Sequence, residues 1–195
     1  MKLVIQPILL NDKKALTGLP YLKSVLETGF GFDKQSTVIN NPVTQIPISI
    51  FDNTRNQYLS DQLLTWLQHT LEPSKDTKVL AVCDFDAYFG KYNFCFGEAI
   101  IGGNVAAIYL ERLLPSNSND NGSSQSLLQN RIVKEAIHEI GHTFGLRHCL
   151  RDFCIMFKSK IILDTDKKNK DFCESCQSLL NASLQPHMNR PSLQP

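Results

Sequence analysis

The sequence lacks a dominant charge. Twenty lysines and arginines stand against nineteen aspartates and glutamates in 195 residues, a net charge of +1. No large single-sign field surrounds such a chain, so binding of nucleic acid or membrane by bulk electrostatics is excluded, and any such contact needs a local patch. Long apolar runs are absent too. Nothing approaches the roughly 18 to 20 consecutive apolar residues that a membrane span requires. The opening MKLVIQPILLNDKK stops at Asn11, contains Pro7 and has no small-residue cleavage site behind it, which argues against a secretory leader and for a cytoplasmic protein. The sequons at Asn121 and Asn181 then carry no meaning. No internal repeat is visible.

What is present suits one folded domain. Apolar residues make up 42% of the chain, and this length buries roughly 70% of the unfolded surface, so a core forms without staples. Residues 2–8 read as an opening strand. The segment PYLKSVLETGFGF reads as a helix with Leu22, Val25 and Leu26 on one side, ended by Gly29 and Gly31. A second helix is expected over 53–71, capped by Asn53 or Thr54, with Leu59, Leu63, Trp66 and Leu67 at helical spacing. KVLAVCDFDAYF is a strand running into acidic residues, and YNFCFGEAIIGGNVAAIYL reads as two strands joined near Gly102 and Gly103. Residues 115–126 hold no apolar side chain and read as a surface loop. Leu128, Ile132, Ala136, Ile140 and Phe144 then predict a long helix over about 127–144. The last fifty residues show almost no periodic element, so something other than a core must hold them.

That long helix ends in HEIGHTFGLRH, the pattern His-Glu-x-x-His-x-x-Gly-x-x-His. His138 and His142 are four apart and share a helix face, so both imidazoles can address one ion. Gly145 can take the left-handed conformation that ends a helix and turns the chain back, bringing in His148. Three nitrogen ligands suit tetrahedral zinc and leave a fourth position for water. Glu139 lies on the neighbouring face, where it is placed to take a proton from that water as general base.

Cys149 and Cys154, then Cys173 and Cys176, form two short-spaced pairs. Four thiolates can close the shell of a structural zinc whose binding contributes folding free energy to the tail. Two disulfides in a secreted protein, or a nucleic-acid zinc knuckle, are the other readings; Asp164, Asp166 and Asp171 interleaved with the lysines between the pairs speak against the second. Cys83 and Cys95 lie in strand-like segments and read as buried free thiols.

His138 to His148, followed by Cys149, Cys154, Met156, Cys173 and Cys176, resembles the archaemetzincins, or archaelysins, a family of metzincin-like zinc metallopeptidases. LVIQP, RNQYLSDQLLTWL and DFDAYFGKYNFCFGEA look like weaker parts of the same pattern, so the likeness spans nearly the whole chain. One spacing departs from it: sixteen residues separate Met156 from Cys173 where the family has seventeen. The resemblance implies a compact metzincin-like α/β (α+β) fold with a mixed β-sheet. Residues 1–145 would form an upper subdomain with the active-site helix, and 146–195 a small zinc-stabilised lower one with a frayed tail. It implies two Zn²⁺ per chain, one catalytic on His138, His142 and His148 and one structural on Cys149, Cys154, Cys173 and Cys176, with Glu139 as base. Met156 would be the methionine of the turn beneath the site.

The activity so implied is hydrolysis of peptide bonds in a peptide or protein substrate by a monomer, with no nucleic-acid or membrane partner. By analogy the FGEA segment, 96–99, is the exposed strand edge for substrate, its glycine allowing close backbone approach. All five tyrosines precede the long helix, so the tyrosine that some metzincins carry just after the turn methionine has no counterpart in sequence. A catalytically silent zinc-stabilised binding module and a non-peptide zinc hydrolase are the alternative readings.

Overall fold

In a computed structural model, which describes residues 1–10, 18–115 and 121–188, alternating side chains of a five-stranded sheet feed two separate cores. The strands are β1 (Lys2–Ile8), β2 (Val38–Ile39), β5 (Thr77–Cys83), β8 (Val105–Tyr109) and β7 (Gly97–Ala99), in the order β2-β1-β5-β8-β7. All pairs are parallel except β7 with β8. Successive side chains of a strand point to opposite faces. Leu80, Val82, Ala106 and Ile108 therefore pack against helices α1 (Leu19–Phe30) and α3 (Asn121–Thr143) on one face. Val79, Ala81, Val105 and Ala107 pack against α2 (Ser60–Leu71) on the other. Strands buried on both faces read as continuous apolar runs, which is why KVLAVC carries no alternation. The expected mixed-sheet α/β architecture is what the chain adopts.

A second, three-stranded sheet, β3 (Phe51–Asp52), β4 (Gln57–Leu59) and β6 (Ala87–Tyr88), overturns the expected start of the second helix. Asp52 Oδ1 accepts from the amides of Thr54 and Arg55 at 2.8 and 3.2 Å, and Asn56 takes φ 53°, so these polar residues close a turn instead of capping a helix. Leu59 ends β4 in phase with Leu63 and Leu67, which imitates an earlier helical turn.

The long helix starts at Asn121, six residues before the expected position, absorbing half of the predicted loop; residues 116–120 lie outside the described residues. The tail also departs from expectation. Two helices, α4 (Ile162–Lys167) and α5 (Glu174–Met188), occupy it, and only 189–195 of the supposedly frayed end fall outside the described residues. Along α5, Cys176 and Leu180 are buried and Leu184 packs on the main core. Treating the cysteines as ligands alone hides this helical stripe, because they also count as small apolar positions.

Charged pairs on α3 fix the tail above it. Arg131 grips Asp166 with two bonds of 2.8 Å, and Lys134 Nζ donates to the carbonyls of Thr165 and Asp166 at 2.9 and 2.8 Å. Lys168, fully buried, pairs with Glu135 at 2.9 Å, and Thr165 Oγ1 donates to the same carboxylate oxygen. No helix among the described residues is long and apolar enough to cross a membrane.

Candidate active site and metal centres

Helix α3 runs beneath the edge strand β7 and delivers the first two histidines of the motif. The helix stops at Thr143. The Gly145 amide bonds the His142 carbonyl at 2.9 Å, and Gly145 takes φ 87°, a conformation that a Cβ would strain. The chain reverses there, and His148 returns to its partners: the three rings lie with centroids 4.7 to 5.3 Å apart. The free carbonyls at this helix end have donors. Gly102 N–H, from the turn between β7 and β8, bonds the His142 carbonyl, and Lys78 Nζ donates to the Thr143 carbonyl at 3.0 Å.

The tautomers of two rings follow from their second nitrogens. His138 Nδ1 donates to the Ile155 carbonyl and His142 Nδ1 to the Leu146 carbonyl, both at 2.7 Å. Their Nε2 atoms therefore carry lone pairs, and these face one another at 3.1 Å. Two lone pairs at that distance with no proton between them repel, and a cation removes the repulsion. Nitrogens about 2.0 to 2.1 Å from a tetrahedral zinc sit about 3.3 Å apart, close to the separation seen. Ligand atoms of His138, His142 and His148 all lie within 4.8 Å of one another. Burial holds all three imidazoles below the usual histidine range, His148 at about 4, so the neutral, ligating form prevails.

Glu139 is 4% exposed, and its carboxyl packs directly on β7. A Cβ on Gly97 would stand 2.6 Å from Glu139 Cγ and Oε1 and 2.8 Å from the Ala107 carbonyl. The absence of a side chain at Gly97 thus leaves room for Glu139. Burial, and next the charge of Glu135, push the Glu139 carboxyl well above the usual range, while Lys168 acts in the opposite sense. Met156 is fully buried below the helix. A Cβ on Gly141 would come 2.7 Å from its Sδ, so the methionine fits only under a glycine. Neither glycine announces this role in sequence; Gly141 occupies a variable position of the motif.

The four cysteines of the tail form a second cluster, with all Sγ atoms within 4.8 Å and no disulfide. Cys149 and Cys173 sulfurs are 3.8 Å apart, and thiolates at about 2.3 Å from zinc in a tetrahedron are separated by about 3.8 Å. Amides of Arg151 and Cys173 point at the sulfurs of Cys149 and Cys154, at 3.5 and 3.3 Å, as groups that stabilise thiolates do. Cys149 is bridged to Phe157 through a 2.9 Å bond to the Met156 carbonyl, so this cluster and the turn under the histidines are one piece of backbone. Cys83 and Cys95 are free, the first fully buried and the second only partly, and neither belongs to a metal cluster among the described residues.

The histidines and Glu139 open on a cleft of about 670 Å³. One wall comes from residues 89–101, including β7, the unpaired edge of the large sheet; the other comes from Lys158, Ser159 and Lys160. This second wall, and Tyr92 on the first, escape any reading of the motif alone.

A profile of Peptidase family M54 matches residues 38–182. The archaemetzincin of Pyrococcus furiosus is 38% identical over 146 residues, 73% of this chain and 76% of that protein. The archaemetzincin of Archaeoglobus fulgidus is 34% identical over 178 residues, 91% and 98% of the two chains. Among solved structures, archaemetzincin from Methanopyrus kandleri superposes with a TM-score of 0.80 at 28% identity, covering 95% of this chain and 96% of that one. The Archaeoglobus fulgidus protein, crystallised in complex with malonate, gives 0.75 at 31% identity, covering 92% and 99%.

Proposed function

The chain belongs to peptidase family M54, the archaemetzincins, which are zinc metallopeptidases acting on peptide or protein substrates, and from that premise we propose which of its residues carry out peptide-bond hydrolysis. The observation that carries the proposal is the convergence of His138, His142 and His148 beside a buried carboxylate on a sheet edge.

His138 and His142 would hold the catalytic zinc through Nε2 and His148 through a ring nitrogen. A zinc in that position supplies Lewis acidity, lowering the pKa of a bound water to about 7 and polarising a carbonyl. Glu139 is the general base: it takes a proton from the attacking water and returns it to the leaving amine. The substrate lies extended along β7, pairing with the main-chain groups of Gly97–Ala99 that face the cleft. Met156 supports the ligands from below without binding metal.

Cys149, Cys154, Cys173 and Cys176 hold a second, structural zinc, giving two per chain. The part with the active-site helix, 1–145, and the part with the third histidine and the four-cysteine cluster, 146–195, act as upper and lower subdomains on either side of the cleft. We place the protein in the cytoplasm as a monomer without a nucleic-acid or membrane partner.

Replacing Glu139 with alanine tests the assignment. Zinc content should stay at two per chain, and kcat should fall by about 10³-fold or more. Cleavage at the wild-type rate in that variant overturns Glu139 as the base.

A further inference from the structure

One wall of the cleft, Lys158 to Lys160, is basic, while Glu98 belongs to the facing wall. Tyr92, 46% exposed, leans from one wall, and Lys158, two residues past Met156, reaches it from the other, with Nζ 3.1 Å from the phenol oxygen and 4.6 Å from the ring centre. Lys160 lines the same wall. Among the described residues no carboxylate lies within ion-pair distance of Lys158 or Lys160, although Arg112, Arg131 and Lys168 each have one. Ser159, between the two lysines, has a buried hydroxyl oxygen with no hydrogen-bond partner, and it too lines the cleft.

The hydrogen-bonding inventory of this cluster is one-sided. An ammonium has three donors and no acceptor. Lys158 spends one N–H on the Tyr92 oxygen, which leaves the phenol O–H and the remaining N–H groups free to donate. Ser159 adds a hydroxyl with nothing to bond. Lys158 first, and then Lys91 and Lys160, hold the Tyr92 phenol below its usual range, as a locally positive potential requires.

We propose that Tyr92, Lys158 and Ser159 form a carboxylate-binding subsite at the mouth of the cleft, which selects peptides carrying an acidic group near the scissile bond. The proposal rests on the peptidase reading above and specifies its substrate class. The carboxylate can belong to an aspartate or glutamate side chain, or to the peptide's C-terminus. Lys158 and Ser159 directly follow the turn under the histidines, so the anchor is rigidly tied to the reacting centre.

The test uses the zinc-loaded enzyme and a neutral peptide in which one glutamate is walked along the sequence, each member paired with its glutamine counterpart, with free and amidated C-termini. At one fixed offset from the cleaved bond, kcat/KM should favour glutamate over glutamine by about ten-fold at low salt, and the ratio should shrink in 0.5 M salt. A preference that follows the free terminus instead identifies the C-terminal carboxylate as the occupant. Lys158→Met should bring the ratio below about three, Lys158→Arg should keep it, and Lys158→Glu should turn it towards lysine at the same offset. Ratios near one in the wild type, or a ratio untouched in Lys158→Met, overturn the subsite. Binding of the same peptides to the Glu139→Ala protein separates the two levels. If the wild type cleaves none of them but glutamate peptides still bind more tightly through Lys158, the peptidase reading fails and the subsite stands. Absence of both cleavage and discrimination sinks the two together.

Discussion

The histidine cluster and the cysteine cluster both bring metal-ligating atoms to within 4.8 Å, yet they are held in place by different means. His138 and His142 ride on a helix whose other face is buried against the sheet by Val133, Ala136, Ile137 and Ile140. Their second nitrogens are already committed to carbonyls. That site is preorganised by a core that forms without it. The cysteines sit in irregular backbone around 149–154 and at the start of α5, at the margin of the same core beside Ile155, Met156 and Leu180, and the sulfurs themselves are the convergence point of the two chain segments. One site therefore borrows its geometry from the fold, while the other lends geometry to it.

The contrast can be broken most sharply by removing one ligand from each cluster. Cys173→Ser should lower Tm by more than about 8 °C, because the proposed structural zinc would lose a ligand, at a cost of several kcal/mol. His148→Ala, an exposed ligand on a turn, should lower it by less than about 3 °C while abolishing hydrolysis. Equal shifts in thermal melts of the two variants would erase the distinction.

Lys168 sharpens it further, since it belongs to the tail but pairs with Glu135 one turn before Glu139. Lys168→Met leaves a carboxylate 3% exposed without its partner, which costs about 3 to 5 kcal/mol. Urea melts should show that loss, with a smaller one in the double variant Lys168→Met, Glu135→Leu. If the single variant matches wild type, the pair is no link between the regions.

Gly97→Ala should act on the catalytic side alone. The new methyl meets Glu139 at 2.6 Å, so the base must move. Stability should fall by about 1 to 3 kcal/mol, and kcat by about 10 to 100-fold, since misplacing a reacting group by an ångström can cost about that much. Zinc content should be unchanged in metal analysis.

The smallest effect concerns Lys78, which helps close the end of the active-site helix. Burial lowers its pKa to about 8 in the folded protein, against about 10.4 unfolded. Between those values the unfolded chain binds more protons, so stability rises with pH from about 8 to about 10.4, and the penalty is complete below 8. Relative to Lys78→Met, wild-type Tm should rise by less than about 3 °C over that window, after allowance for solvent screening. A relative fall would reverse the sign.

The residues of both clusters could be picked out from sequence because their spacing is local: four residues on a helix, a glycine turn, two short cysteine loops. The sheet strands were equally legible as apolar runs. What escaped depends on contacts across long separations. Arg131, Lys134, Glu135 and Lys168 look like a solvated helix face and a basic loop until α4 folds over α3 and buries them. Gly97 and Gly141 matter only because Glu139 and Met156 press on them. Tyr92 precedes the motif by 46 residues and meets Lys158 from across 66, so no tyrosine follows the turn methionine in sequence although one lines the same cleft in space. Asn53 and Thr54 misled for the opposite reason, since a residue that caps a helix also closes a turn.

The central claim is that two ions occupy two differently built sites in one chain. Anomalous scattering at the zinc edge from a crystal of the purified protein tests it directly. The account predicts two peaks, one bounded by ring nitrogens of His138, His142 and His148 and one by Sγ of Cys149, Cys154, Cys173 and Cys176. Imidazoles turned apart with no peak between them, or cysteine sulfurs bonded in pairs, would contradict it.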